Sequence, residues 1–128
     1  MYEESRGRQY SIAREIGQLN VSAWLISVAN TTCKQPDSRF LALEALVEIR
    51  ALQESRIIVL ENSNSMRRDN RTLNEISRNA SYQFPHYRHM NSRHEPLLWL
   101  PDIVAWCYGR GGLWRDAVEP LVDEVIEL

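Results

Sequence analysis

Two carboxylates are the residues of this sequence best suited to chemistry. Glu61 ends an aliphatic stretch over residues 56–62, and Asp102 opens the apolar segment 101–108. A buried acid is costly without a partner, and two acids at one place repel each other unless a cation lies between them. Hard divalent cations take oxygen ligands, so the pair is a candidate site for Mg²⁺ or Mn²⁺, which would activate water against a phosphodiester. In the alternative interpretation, Glu61 pairs with an arginine and Asp102 caps its own helix.

Asp69 is a third candidate acid, because it follows Glu61 closely and could add a metal ligand. Arg67, Arg68 and Arg71 surround it in the sequence. A charge run of this kind is typical of a solvated helix face, so the alternative is a cluster of surface ion pairs. Glu4 is a further acid that could assist, although the first turn of a helix also favours an acid there.

A histidine-rich segment precedes the apolar segment. His86 and His89 would point to opposite faces of a strand, and no His/Cys spacing in the chain matches a zinc site. Arg88 and Arg93 could contact a nucleic-acid backbone while Tyr87 stacks on a base. A solvent-facing edge strand is the alternative interpretation of the same residues.

Alternating helices and strands must position these side chains. The patterns predict helices over 3–19, 36–54, 66–79, 101–108 and 113–128, and strands over 21–29, 56–62 and 82–90. Pro101 suits the first position of its helix, and Pro85 makes the last strand an edge strand. Strands that alternate with helices form a mainly parallel sheet, and sites lie at the carboxyl ends of such strands. We therefore expect Glu61 and Asp102 to converge at one edge of the sheet.

Composition restricts the class of protein. A chain of 128 residues predicts a single domain, 1–128, and its net charge of −2 argues against a strongly basic surface. Lys34 is the only lysine; arginine suits phosphate contacts, but a biased genome composition would give the same excess. Cys33 and Cys107 form no CxxC pair, which predicts reduced thiols and a cytoplasmic location. No apolar run is long enough to span a bilayer, so we expect no membrane partner.

A motif in the last third of the chain resembles a known family. The motif comprises Glu95-Pro96-Leu97-Leu98-Trp99-Leu100-Pro101-Asp102, then Ala105-Trp106, Tyr108-Gly109 and Gly111-Gly112-Leu113-Trp114-Arg115. It resembles a family of uncharacterised bacterial proteins, and that family in turn resembles the DUF3800-type branch of the ribonuclease H-like (retroviral integrase) superfamily. The resemblance implies that 21–29 is the third strand, that 56–62 is the fourth strand with its acid Glu61, and that 101–108 is the third helix with its acid Asp102. In such nucleases these acids hold the divalent metal for phosphodiester cleavage.

The chain departs from that family at its start, because the opening hairpin and its acid are absent. The expected fold is therefore α/β, a small, mainly parallel three-stranded sheet flanked by helices, in a ribonuclease H-like layout that lacks the first hairpin. A partner that supplies the missing strand is the alternative.

Two functions follow as hypotheses. One is a metal-dependent nuclease that uses Glu61 and Asp102, with Asp69 assisting. The other is a non-catalytic interaction module, for instance a homodimer formed through the Trp-rich C-terminal region.

Overall fold

The structure is a computed structural model, and it describes residues 5–29, 35–64 and 66–128. The chain divides into two compact units. The first unit comprises Met1–Leu25 and Pro96–Ile126, and the second comprises Ile26–Glu95 and Glu127–Leu128. This division into two units does not test the prediction of a single domain, which therefore stays a prediction.

Helices and short strands alternate over most of the chain. The helices are α1 (Arg6–Ile16), α2 (Gln35–Val47), α3 (Arg50–Gln53), α4 (Met66–Asn79), α5 (Trp99–Arg110) and α6 (Gly112–Val118). The strands are β1 (Ala23–Ser27), β2 (Ile57–Glu61), β3 (His86–Met90) and β4 (Val122–Glu127). Two 3₁₀ turns, Pro96–Leu98 and Glu119–Leu121, precede α5 and β4. Among the described residues, no helix is both long and apolar enough to cross a membrane.

The first unit is built around helices α1, α5 and α6. The side chain of Ser5 caps α1 by accepting a hydrogen bond from the backbone N–H of Arg8. The apolar sides of the three helices then share one core, in which Cys107, Trp114 and Val118 are buried. Cys107 and Trp114 therefore serve as packing residues of this unit.

The second unit contains a strand–helix–strand segment. Strands β2 and β3 are parallel, in a register that sets Ile57 opposite His86 and Glu61 opposite Met90. Helix α4 connects the two strands, and its bounds are those predicted from the sequence. Leu73 on the inner side of α4 is fully buried. Leu43 and Val47 of α2 are almost fully buried. The sequence pattern therefore placed strand β2 and helix α4 correctly along the chain.

The predicted three-stranded sheet is wrong. The described residues form two parallel sheets of two strands each, in which β1 pairs with β4 and β2 pairs with β3. The error begins at the C-terminus, where a helix was expected over 113–128. Pro120 lies in a 3₁₀ turn that ends the helical region, and the β-branched Val122, Val125 and Ile126 then favour a strand. Strand β1, which was expected to share one sheet with β2 and β3, therefore pairs with β4 instead.

Two helix boundaries also differ from the predictions. The predicted helix 36–54 is two helices, because the backbone tightens to i→i−3 hydrogen bonds at Glu48 and Ile49. Helix α5 begins at Trp99 rather than at Pro101. Pro101 still lies in the first turn, where a missing N–H leaves no hydrogen bond unmade.

Candidate functional site

Asp69 is buried on α4 and is held by Arg39 of α2. Its side chain is 1% exposed, and the guanidinium forms three contacts with it: Nε to Oδ1 at 3.0 Å, Nε to Oδ2 at 3.3 Å and Nη2 to Oδ2 at 2.7 Å. The hydrogen bonds to Asp69 raise the pKa of Arg39 above its usual value. Both carboxylate oxygens therefore serve an ion pair within the fold.

Glu61 lies at the carboxyl end of β2, as the strand pattern predicted, and its side chain is exposed. Asp102 lies in the first turn of α5 and is also exposed. The two acids belong to different units, Glu61 to the second and Asp102 to the first. Glu4 lies outside the described residues.

The family resemblance implies a cluster of acidic metal ligands. Within residues 5–29, 35–64 and 66–128, no three His, Cys, Asp or Glu side chains are grouped so that they could hold a metal ion. Asp69 has both oxygens engaged by Arg39. The described side chains therefore provide no such group, and the Mg²⁺ or Mn²⁺ site stays a prediction from the sequence.

Strand β3 is fastened to α4 by two polar contacts. The hydroxyl of Tyr87 donates to the side-chain oxygen of Asn74, and His89 Nε2 lies 2.9 Å from the side-chain oxygen of Asn70. His86 is exposed, so the two histidines differ in environment as the alternation of a strand predicts. Burial raises the pKa of Tyr87 above its ordinary value. These contacts fix the rotation of α4 against the strand.

Three arginines lie along the outer side of α4. Arg67, Arg71 and Arg78, here called the arginine stripe, are all exposed. At 100° per residue they fall within about 40° of one another, on the side opposite the buried Asp69 and Leu73. Within the part of the chain that the structure describes, none of the three forms an ion pair; Arg78 Nε donates to the Asn74 carbonyl oxygen at 3.5 Å.

The sequence did not predict which arginine pairs with Asp69. The sequence suggested that the arginines next to Asp69 neutralise it, but the carboxylate pairs with Arg39, 30 residues away. The positive charges of the stripe are therefore left facing outward. No local signal identifies Arg39 as the partner, because the pairing depends on how α2 packs against α4.

Comparison of the chain with models of protein families, with curated proteins and with solved structures finds no match. The resemblance to the ribonuclease H-like superfamily therefore stays a prediction from the sequence motif.

Proposed function

We propose that this chain binds nucleic acid and that the arginine stripe of α4 is its phosphate-binding surface. The observation that carries the proposal is the outward placement of Arg67, Arg71 and Arg78 while Arg39 alone neutralises Asp69. A guanidinium presents several N–H donors in a planar fork that matches phosphate oxygens, so exposed arginines without acid partners suit a polyanion.

The dimensions of the stripe suit a phosphate backbone. With a rise of 1.5 Å per residue, Arg67 and Arg71 are about 6 Å apart along the helix axis, and Arg71 and Arg78 are about 10 Å apart. The stripe is thus about 16 Å long, the length of roughly five phosphates along one strand of a duplex. Contacts of this kind give affinity without sequence preference.

The surrounding contacts support a preorganised surface. Arg39 fixes the inner side of α4 through Asp69, and β3 fixes one flank through Asn70 and Asn74. A helix that is already held in place on two sides loses less conformational entropy when a ligand binds its outer side. Glu75, the one other acid of α4, borders the stripe one helical turn from both Arg71 and Arg78, and within the described residues it forms no ion pair with either.

Fluorescence anisotropy with labelled single- and double-stranded oligonucleotides at low salt tests the proposal. The triple variant R67Q/R71Q/R78Q is expected to bind at least tenfold more weakly and to lower the slope of log K against log salt by about two, because each lost phosphate contact removes about 0.7 for a single strand. The matched control, R8Q/R50Q/R56Q, removes the same charge from exposed arginines elsewhere. An equal loss in both triples, or no binding by the parent, contradicts the proposal.

A divergent metal-dependent nuclease is the second candidate function. It is favoured by the parallel β2–α4–β3 segment, which sets Glu61 at a carboxyl strand end beside the stripe-bearing helix. Cleavage of labelled RNA and DNA with added Mg²⁺ or Mn²⁺ tests it, with Glu61→Gln and Asp102→Asn as variants. Activity that Asp102→Asn retains in full removes Asp102 from the hypothesis, and binding without cleavage by the parent favours a non-catalytic module.

A further inference from the structure

The first unit contains a buried indole whose N–H group has no hydrogen-bond partner. Trp114 of α6 is 7% exposed, and its Nε1 atom is buried without an acceptor among the described residues. The Tyr10 ring packs against this indole in a T-shaped arrangement, with the two ring centroids 6.3 Å apart. A buried donor that makes no hydrogen bond loses its hydration without compensation, and such donors are rare in folded proteins. The fold therefore leaves one donor unused at this indole.

Two guanidinium groups lie against the same indole. The Cζ atoms of Arg110 and Arg6 are 4.5 Å and 5.1 Å from the centre of the Trp114 ring, and Arg110 Cζ is also 5.2 Å from the centre of the Trp106 ring. Both arginines are exposed, and within the described residues neither forms an ion pair. Because both lie against one ring, the two positive charges are within about 10 Å of each other and have no carboxylate partner.

The contacts with the rings leave these groups able to bind an anion. A cation–π contact attracts a guanidinium through its face, and the N–H donors along the edge of its plane stay free. Like charges at this separation repel each other, and an anion between them removes the repulsion. A water molecule would accept from the indole N–H but would not offset the positive charges. The unused donor and the two unpaired cations therefore both favour an anion that carries oxygen acceptors.

We propose that Arg6, Arg110 and Trp114 bind a phosphate group, either free or as a monoester. Such a group offers at least three acceptor oxygens and a charge of about −1.5 to −2 at pH 7. Each guanidinium presents a fork of N–H donors that matches phosphate oxygens, and the indole N–H donates to a remaining oxygen. A carboxylate has only two oxygens and a single charge, so it satisfies this donor set less well. Both arginine side chains are long and exposed, so they can turn toward an anion at the indole.

Titration of the full chain, freed of nucleic acid, with inorganic phosphate tests the proposal by NMR. The indole N–H resonance of Trp114, assigned with phenylalanine variants of the other three tryptophans, is expected to shift and to saturate at millimolar phosphate. Arg6→Gln and Arg110→Gln are each expected to weaken binding at least fivefold, because each removes one of the two guanidinium forks. The control Arg8→Gln removes an exposed arginine of the same helix and is expected to change affinity less than twofold.

Three results overturn the proposal. They are an unchanged Trp114 indole resonance at millimolar phosphate, equal loss of binding in Arg8→Gln and the two site variants, and acetate that binds as tightly as phosphate. A nucleoside 5′-monophosphate, titrated in parallel, distinguishes the sources: tighter binding than inorganic phosphate assigns the site to a monoester, and weaker binding assigns it to the free ion. Circular dichroism confirms that each variant is folded. The outcome is separate from the nucleic-acid proposal, because R67Q/R71Q/R78Q leaves this site unchanged and is expected to bind phosphate as the parent does.

Discussion

Arg39 and Asp69 join α2 to α4 through a bidentate ion pair whose two ends differ in exposure. The Asp69 side chain is 1% exposed, whereas the Arg39 side chain is 42% exposed. Removal of either partner therefore has a different consequence. Without Arg39 the buried carboxylate loses its counter-charge, whereas without Asp69 the guanidinium still reaches water.

The first prediction concerns this asymmetry. Arg39→Met is expected to lower the free energy of unfolding by about 3 kcal/mol, because an unpaired buried charge is among the costliest defects. Asp69→Leu is expected to lower the free energy of unfolding by less than Arg39→Met does. The double variant R39M/D69L is expected to be more stable than Arg39→Met alone. Urea unfolding of the parent and the three variants measures these differences.

The chain offers a matched control for that series. Arg50 of α3 and Glu54, which follows that helix directly, form an ion pair of 2.8 Å, and both side chains are largely exposed. Arg50→Met is expected to change the free energy of unfolding by about 0.5 kcal/mol or less, because solvent screens such pairs. Similar costs for Arg39→Met and Arg50→Met would mean that the buried pair contributes no more than a surface pair.

The sequence predicted elements far better than it predicted their partners. Helix α4 and strand β2 were placed well because their signals are local: a polar helix flanked by turn residues, and four consecutive aliphatics. The pairing of β1 with β4 was missed because residues 122–127 also satisfy a helical pattern once Pro120 is accepted as a kink. Strand partners are long-range properties, and an apolar run of this length fits either period.

The candidate site shows the same limit. The sequence offered Asp69 either as a third metal ligand or as part of a cluster of surface ion pairs, whereas the structure buries it in an ion pair that depends on the packing of α2. The sequence also indicated Glu61 and Asp102 as site residues. The exposed arginines of α4 were interpreted only as neighbours of Asp69. Charge along a helix becomes interpretable only when the buried side of that helix is known.

The second prediction concerns the close approach of α1 to α6. A Cβ atom on Gly17 would lie 1.9 Å from the carbonyl oxygen of Ala117, which is backbone and cannot move aside cheaply. Gly17→Ala is therefore expected to lower the free energy of unfolding by about 2–3 kcal/mol. Gly7→Ala is the control: it lies within α1 with open space around its Cβ position and is expected to stabilise the chain by about 0.5–1 kcal/mol. Thermal or urea unfolding of both variants measures the contrast, which equal effects would contradict.

The third prediction concerns Cys107. Its side chain is 0% exposed, and burial raises the pKa of the thiol from its ordinary value of 9.0. A group whose pKa is higher in the folded state contributes its full stability below the unfolded-state pKa and loses that contribution as pH rises through the folded-state pKa. The free energy of unfolding is therefore expected to fall more steeply above about pH 9 in the parent than in Cys107→Ala.

Two measurements check the behaviour of this thiol. Urea unfolding at a series of pH values compares the slopes, and Tyr87 is common to both proteins, so its own titration cancels. Iodoacetamide labelling followed by peptide mapping is expected to modify Cys107 far more slowly in the folded chain than in urea, because the reactive thiolate is both disfavoured and inaccessible. Rapid labelling of Cys107 in the folded chain would contradict the prediction.

The fourth prediction concerns the start of α5, where large apolar side chains are exposed. Leu97 is 69% exposed and Trp99 is 54% exposed. Large exposed apolar side chains favour association, so we expect a homodimer whose formation rises with protein concentration. Sedimentation equilibrium of the parent and of L97S/W99S measures this. The double variant is expected to weaken the dimer at least tenfold, since truncation of a central tryptophan commonly removes more than 1 kcal/mol of binding free energy. Leu113→Ser, an exposed apolar position on α6, is the control. A parent that stays monomeric at high concentration excludes this interface.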